Sequence, residues 1–265
     1  MTVGSTETII VDRRDGVVTI TLNRPERKNA GNGLMWQEIR QALSEVERQR
    51  HDRVLVVTGA GGDFCSGADI TDPGGVSGDP QDPHLVRMRI FGDVMLALHH
   101  LSKPTIAKVG GVAAGAGCSL ALQCDLVVAS EGARFSEIFS RRGLSVDGGS
   151  SWLLPRMIGL HRAKELAYFA DMLSASEAAE IGLVNKVVPD DQLDAFVDGW
   201  ATRLATGPPL ALSMTKRLLN SGSLVSMAQA LEDEARAQTV NFFSADTHEA
   251  MRAFAEKREP RFEGR

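Results

Sequence analysis

The sequence predicts an α/β protein with parallel strand pairing, extended by a largely helical C-terminal region. Three observations carry that expectation. Residues 54–58, 105–109 and 126–129 are short runs that are apolar almost throughout, the pattern of strands buried on both faces. Between them lie segments with a helical period or a glycine run opening a helix, the alternation that parallel crossovers produce. From residue 162 onward nearly every segment reads as a helix. The 265 residues are 43% apolar and 24% charged, enough to bury a large core and unlike a disordered chain.

Taken in order, residues 9–12 and 17–22 (VVTITL) flank Asp15-Gly16, a strong hairpin signal. Residues 23–28 (NRPERK) form a loop, because Pro25 cannot donate to a strand ladder. Over residues 34–49, Leu34, Met35, Ile39, Leu43 and Val46 keep a helical spacing. The strand 54–58 runs into a glycine turn, and residues 72–83 (DPGGVSGDPQDP) are the most loop-like stretch. A helix over 85–101 stops at Lys103-Pro104. Strand 105–109 leads through glycines into a helix ending at 123, and 126–129 is a further strand. Helices are then expected over 162–170, 176–180, 192–205, 210–220, 224–243 and 247–257. No charge run, low-complexity block or fixed repeat marks a second independent domain. The division expected is a core over residues 1–159 and a helical region over 160–265.

Composition excludes several classes. A net charge of −5 gives no electrostatic footprint for nucleic acid. Cys65, Cys118 and Cys124 are odd in number and lack CxxC spacing, so no disulfide framework and no metal site is expected. Residues 1–15 lack a basic-then-apolar leader pattern. The longest uncharged apolar run, 109–122, is too short and glycine-rich to span a membrane. The expectation is a soluble, cytoplasmic protein without membrane partners.

Chemistry concentrates in two segments. Residues 64–70 (FCSGADI) follow the strand and glycine turn of 54–62, and residues 110–125 (GGVAAGAGCSLALQCD) answer them. Small residues let main-chain N–H groups turn toward a ligand, and a helix start leaves its first N–H groups unpaired. Two such elements can aim two donors at one developing oxyanion. A dinucleotide loop at Gly59–Gly62 fails on spacing, since the third glycine of that motif would fall on Phe64. The arrangement resembles the enoyl-CoA hydratase/isomerase (crotonase) family over nearly the whole chain. The resemblance implies a spiral of ββα units and a helical tail that packs on the core or a neighbouring subunit. It also implies a homotrimer or dimer of trimers and an acyl-CoA substrate. Coenzyme A is then part of the substrate, and no separate cofactor is expected. By the same resemblance, Ala68 and Ala116 supply the oxyanion N–H groups, Ala116 standing where glycine is more usual in the family.

Hydratases of that family use two glutamates. Here the corresponding positions carry Ser119 and Phe139, so both carboxylates are absent. Glu137, two residues away, substitutes only if the local register slips, and otherwise reads as an exposed strand-end residue. Asp147 lies in RGLSVDGG (142–149), which resembles the G-L-x-P-D-x-G segment of certain isomerases, with Val146 in place of the proline. There the aspartate moves the proton. Val146, Trp152 and Leu153 would make its surroundings apolar and raise its pKa. The structural alternatives for Asp147 are a turn residue or the cap of a helix over 150–157. The expected function is an enoyl-CoA isomerase with Asp147 as proton shuttle. The alternatives are a hydratase with a displaced acid, nucleophilic attack by Asp147 on an aryl-CoA, and a non-catalytic acyl-CoA-binding protein. GCSLA at 117–121 also approaches the G-x-S-x-G nucleophile pattern, but no histidine is placed beside Ser119 by the sequence.

Further residues are assigned by the resemblance. Arg24, Arg27 and Lys28 are candidates for CoA phosphates, as are Lys257 and Arg258 in the tail, solvated charge being the alternative for both groups. Ser66, Asp69 and Ile70 beside the first donor, Gly115 and Ser119 beside the second, and Phe139 and Trp152 are expected to line the substrate site. The 72–83 loop is expected at the acyl end. Cys65 is either reactive or a buried structural thiol. His99-His100 ends a helix and suits its C-terminal dipole better than a metal.

Overall fold

The computed structural model describes residues 2–5, 7–72, 79 and 81–265. After β1 (Thr2–Ser5), the expected hairpin forms from β2 (Ile9–Arg14) and β3 (Val17–Leu22). Asp15 and Gly16 both take positive φ, 51° and 82°, the geometry of a tight two-residue hairpin turn. Helix α1 (Gly33–Arg48) is capped by Asn32, whose Oδ1 accepts from Met35 N at 2.9 Å. The strands β4 (Val54–Gly59), β5 (Thr105–Val109), β6 (Val112–Ala114), β7 (Leu126–Ser130), β8 (Arg134–Ser136), β9 (Leu173–Ser174) and β10 (Lys186–Val188) complete two sheets.

The larger sheet runs β1-β2-β3-β4-β5-β7-β10, antiparallel as far as β3 and parallel from there on. The smaller is β6-β8-β9. The chain alternates between them: β5 is followed by β6 and helix α3 (Ala116–Leu122), β7 by β8 and helices α4 (Ser150–Ile158) and α5 (Leu160–Phe169). In the β4 turn a single bridge, Cys65 with Ala113, stands in for the short strand, and α2 (His84–His99) follows. This is a spiral of ββα units. One face of the parallel strands packs on α1–α5 around Trp36, Phe64, Phe91 and Phe135. The other meets Leu193, Val197 and Ala201 of α7 (Leu193–Ala205). Covering both faces is why these strands are apolar without alternation.

The segment beyond residue 160 is not helical throughout. Besides α6 (Ala175–Glu180) and α7 it contributes β9 to the small sheet and β10 to the large one. Two or three residues are too few to show a strand period, so these pairings were not visible as pattern. Helices α8 (Pro209–Gly222), α9 (Met227–Phe242) and α10 (Ala245–Glu256) end the chain, and α8 and α9 bury no residue fully. Most of the 72–83 loop lies outside the described residues. Among those described, no helix is long and apolar enough to cross a membrane.

Candidate active site

The FCSGAD segment is fastened on both sides. Cys65 N donates to Val112 O (2.9 Å) and Ala114 N to Cys65 O (3.0 Å), while Gly31 N donates to Gly67 O (2.8 Å) and Asp69 N to Gly31 O (2.9 Å). In such a parallel bridge the residue between the two bonded groups turns its own N–H away from the partner strand, so that of Ala68 faces away from Gly31. Ala116 opens α3, where the first N–H groups lack intrahelical acceptors. Helix α3 lies directly on the first segment. A Cβ on Gly117 would collide with the Cys65 carbonyl, so only glycine permits this approach. The point a Cβ of Gly67 would occupy is 3.8 Å from the Ala116 nitrogen, which brings the two donor segments side by side. Among the described residues, neither the Ala68 N–H nor the Ala116 N–H has a hydrogen-bond partner.

The same helix holds the turn that carries Asp147. Ser119 and Gln123, one helical turn apart on α3, reach it together. The Ser119 hydroxyl lies 3.2 Å from the Asp147 carbonyl and 3.2 Å from the Gly115 carbonyl, and Gln123 Nε2 donates to the Gly148 carbonyl at 2.6 Å. Gly148 and Gly149 follow with φ of 59° and 91°, and a Cβ on Gly148 would stand 2.7 Å from Ser119 Cβ. The Asp147 side chain does not cap α4. The cap position is Gly149, with no side-chain bond. Asp147 is half-buried, and its Oδ1 is enclosed without a partner among the described residues. Burial pushes its pKa up to about 6.

Glu137 departs from the expectation of an exposed strand end: it is 0% exposed. Strand β8 carries it inward, and its Oε1 accepts from Ser150 Oγ at 3.2 Å. Burial is the main cause that raises it to about 7. Ser119 is equally buried, and its partners are the Gly115 and Asp147 carbonyls and Ser150 Oγ (3.0 Å). Among the described residues no histidine bonds to it, so it lacks the base a hydrolase nucleophile needs. Phe139 is buried, its ring 3.8 Å from the point a Cβ of Gly115 would occupy.

Residues 12–265 match the family model described as enoyl-CoA hydratase/isomerase. The chain belongs to the enoyl-CoA hydratase/isomerase family. It is 40% identical over 260 residues to the 1,2-epoxyphenylacetyl-CoA isomerase of Escherichia coli (strain K12), covering 98% of this chain and 99% of that one. It is 38% identical to a probable enoyl-CoA hydratase of Rhodobacter capsulatus, covering 98% and 100%. The crystal structure of an enoyl-CoA hydratase from Bacillus anthracis superposes with a TM-score of 0.92 at 31% identity, covering 98% of this chain and all of that one. This chain is thus an enzyme of a family that acts on acyl-CoA and has the crotonase fold.

Other residues expected to bind substrate are placed differently. Arg24 pairs with Asp69 at 2.8 Å and also donates to the Ala30 carbonyl, so these two candidates join the 23–30 loop to the first donor segment. Asp69 is held below the usual carboxylate range, chiefly by Thr71 and also by Arg24. Ser66 faces the same loop, its N donating to Lys28 O at 3.0 Å and its Oγ to Arg27 O at 3.3 Å. Lys28 is exposed and 3.4 Å from Asp63, and Ile70 is 77% exposed. Trp152 packs edge-on against His99 under the Arg156 guanidinium. It lines, with Gly149 and Leu153, a cavity of about 830 Å³ between α2, α4 and α8. Lys257 is exposed at the C-cap of α10, whereas Arg258 is engaged with Glu249 (2.6 Å) and Glu256 (2.6 Å). Burial pushes the Cys65 thiol up to about 11, the state of an inert structural cysteine. Among the described residues no cluster of side chains suits a metal ion.

Three residues that hold these segments escaped the sequence reading: Asn29, Gln123 and Ser150. Buried Asn29 accepts from Arg24 N and donates to the carbonyls of Ala60 (2.8 Å) and Asp63 (2.7 Å). For Gln123 a signal existed, because it stands four residues after Ser119 on one helix.

Proposed function

We propose that this enzyme is an enoyl-CoA isomerase in which Asp147 carries the proton. The observation that supports this best is the setting of Asp147: a half-buried carboxyl, raised to about 6, on a turn hung from the helix whose first nitrogen lies beside the Ala68 segment. In the reaction, the Asp147 carboxylate takes the α-proton of a 3-enoyl thioester. The electron pair moves onto the thioester oxygen, where the N–H groups of Ala68 and Ala116 stabilise the enolate, worth about 3 kcal/mol per donor. The pair returns through the dienolate, Asp147 delivers the same proton to the γ-carbon, and the double bond ends conjugated with the thioester. One carboxyl suffices because the proton is returned, not consumed. Ser119 and Phe139 stand where hydratases of the family carry glutamates, which favours a proton shift over addition of water.

A second reading, hydration with Glu137 as displaced acid, draws on its raised pKa. Its complete burial opposes contact with substrate. Lys28 and Lys257, both exposed, are proposed for the CoA phosphates. Assembly as a homotrimer or dimer of trimers through the 160–265 region fits the exposed Leu219, Phe243 and Phe254 of the C-terminal segments. The test of the reaction compares two rates for the purified protein. Conversion of a 3-enoyl-CoA is followed by ultraviolet absorbance of the conjugated thioester, alongside hydration of a 2-enoyl-CoA. Isomerisation is expected to dominate, and dominant hydration would overturn the reading.

A further inference from the structure

Behind Asp147 lies a buried chain of polar side chains that the proton transfer itself does not use. Glu137, Ser150 and Ser119 are each 0% exposed. They come from three elements: the end of β8, the first residue of α4, and the middle of α3. Glu137 Oε1 is 3.2 Å from Ser150 Oγ, which is 3.0 Å from Ser119 Oγ. Ser119 Oγ ends the chain 3.2 Å from two carbonyls, those of Asp147 and Gly115. The first belongs to the proposed base. The second precedes the Ala116 N–H.

We propose that Glu137 is a positioning residue that, through Ser150 and Ser119, holds the Asp147 turn and the Ala116 N–H in one register. The proposal rests on the reading of Asp147 as the base. Each serine hydroxyl has one proton to give. Ser150 gives its proton to Glu137 Oε1 and is left to accept from Ser119, whose hydroxyl is thereby fixed among Ser150 and the Asp147 and Gly115 carbonyls. An apolar side chain at 137 removes the head of this chain. Ser150 is then free to rotate and Ser119 loses the neighbour that orients it, and a buried hydroxyl without its partners is costly. The turn on Asp147 and Gly115 loosens while the main-chain fold stays. Sealed from solvent beside Cys118, Ser150 and Asp147, Glu137 acts on the reaction through such neighbours and not by touching substrate.

The test measures 3-enoyl-CoA isomerisation by Glu137→Leu and Glu137→Gln, each made alone and in an Asp147→Asn background, with circular dichroism as a check on folding. Glu137→Leu is expected to lower kcat about tenfold and leave KM within about twofold, because the loss is of orientation and not of binding. Glu137→Gln, whose amide can still meet Ser150, is expected to restore most of kcat. On the residual rate of Asp147→Asn, Glu137→Leu should cost clearly less than in wild type, because the part that acts through the Asp147 turn is already lost. An unchanged kcat in Glu137→Leu, or an equal loss with and without Asp147, overturns the proposal while leaving Asp147 as the base. If Asp147→Asn alone keeps full isomerisation, the base assignment falls and the proposal falls with it. Should Glu137→Leu fail to fold, Ser150→Ala cuts the same chain. A kcat loss of similar size then supports the proposal, and an unaltered kcat overturns it.

Discussion

Glu137 and Asp147 both have carboxyls lifted above the ordinary range by burial, to about 7 and about 6, yet the fold presents them in opposite ways. Glu137 leaves a strand of the small sheet, points into the core and is met by Ser150. Asp147 sits on a turn of two left-handed glycines, its main chain held by Ser119 and its side chain half-buried; each carboxyl has one enclosed oxygen without a partner among the described residues. A raised pKa therefore does not by itself identify a base. What separates them is access: one carboxyl is half-buried, and the other is sealed among its neighbours.

The contrast can be broken from the Asp147 side first. Gly148→Ala forces a side chain into a residue with φ of 59° and against Ser119, so the turn must shift. A displacement of the base by about 1 Å is expected to cost on the order of a hundredfold in kcat, with KM little changed, as steady-state kinetics would show. Next comes pH. Asp147 must be ionised to take a proton, so kcat/KM for isomerisation should fall about tenfold per pH unit below about 6 and level off above it. A flat profile between pH 5 and 8 would mean another group is the base.

The smallest effect sharpens the comparison from the Glu137 side. A buried carboxyl whose pKa is raised on folding adds stability in its protonated form. That contribution is complete below about 4.5 and is lost as pH rises through about 7. Glu137→Gln has no such loss. The variant should gain on wild type between pH 5 and 8, by on the order of 2 kcal/mol in urea titrations. Equal curves at both pH values would show that Glu137 is not buried as described.

Much of this was legible in the chain. The nearly continuous apolar runs in β4, β5 and β7 announced strands covered on both faces, and Asp15-Gly16 announced the hairpin. The two donor segments and the Asp147-Gly148-Gly149 turn stood out as small residues at places where backbone must turn or approach closely. Strands β6, β8 and β10 did not, since three residues carry no period. The burial of Glu137 follows from β8, so it was hidden for the same reason. The Arg24–Asp69 pair joins residues far apart in the chain, which the Gly31–Ala68 bridge and the bonds of Ser66 to Arg27 and Lys28 make neighbours. Local pattern picked out the candidate segments, and long-range pairing decided which of their charged groups are engaged with one another.

The central claim is that one carboxyl, that of Asp147, moves the proton. The most direct test is turnover of a 3-enoyl-CoA by wild type and Asp147→Asn at pH 8, with 2-enoyl-CoA hydration measured in parallel. The account predicts a loss of isomerisation on the order of 10²–10⁴ in kcat, with acyl-CoA binding retained. Isomerisation that survives the substitution, or hydration that outpaces it in wild type, would contradict the claim.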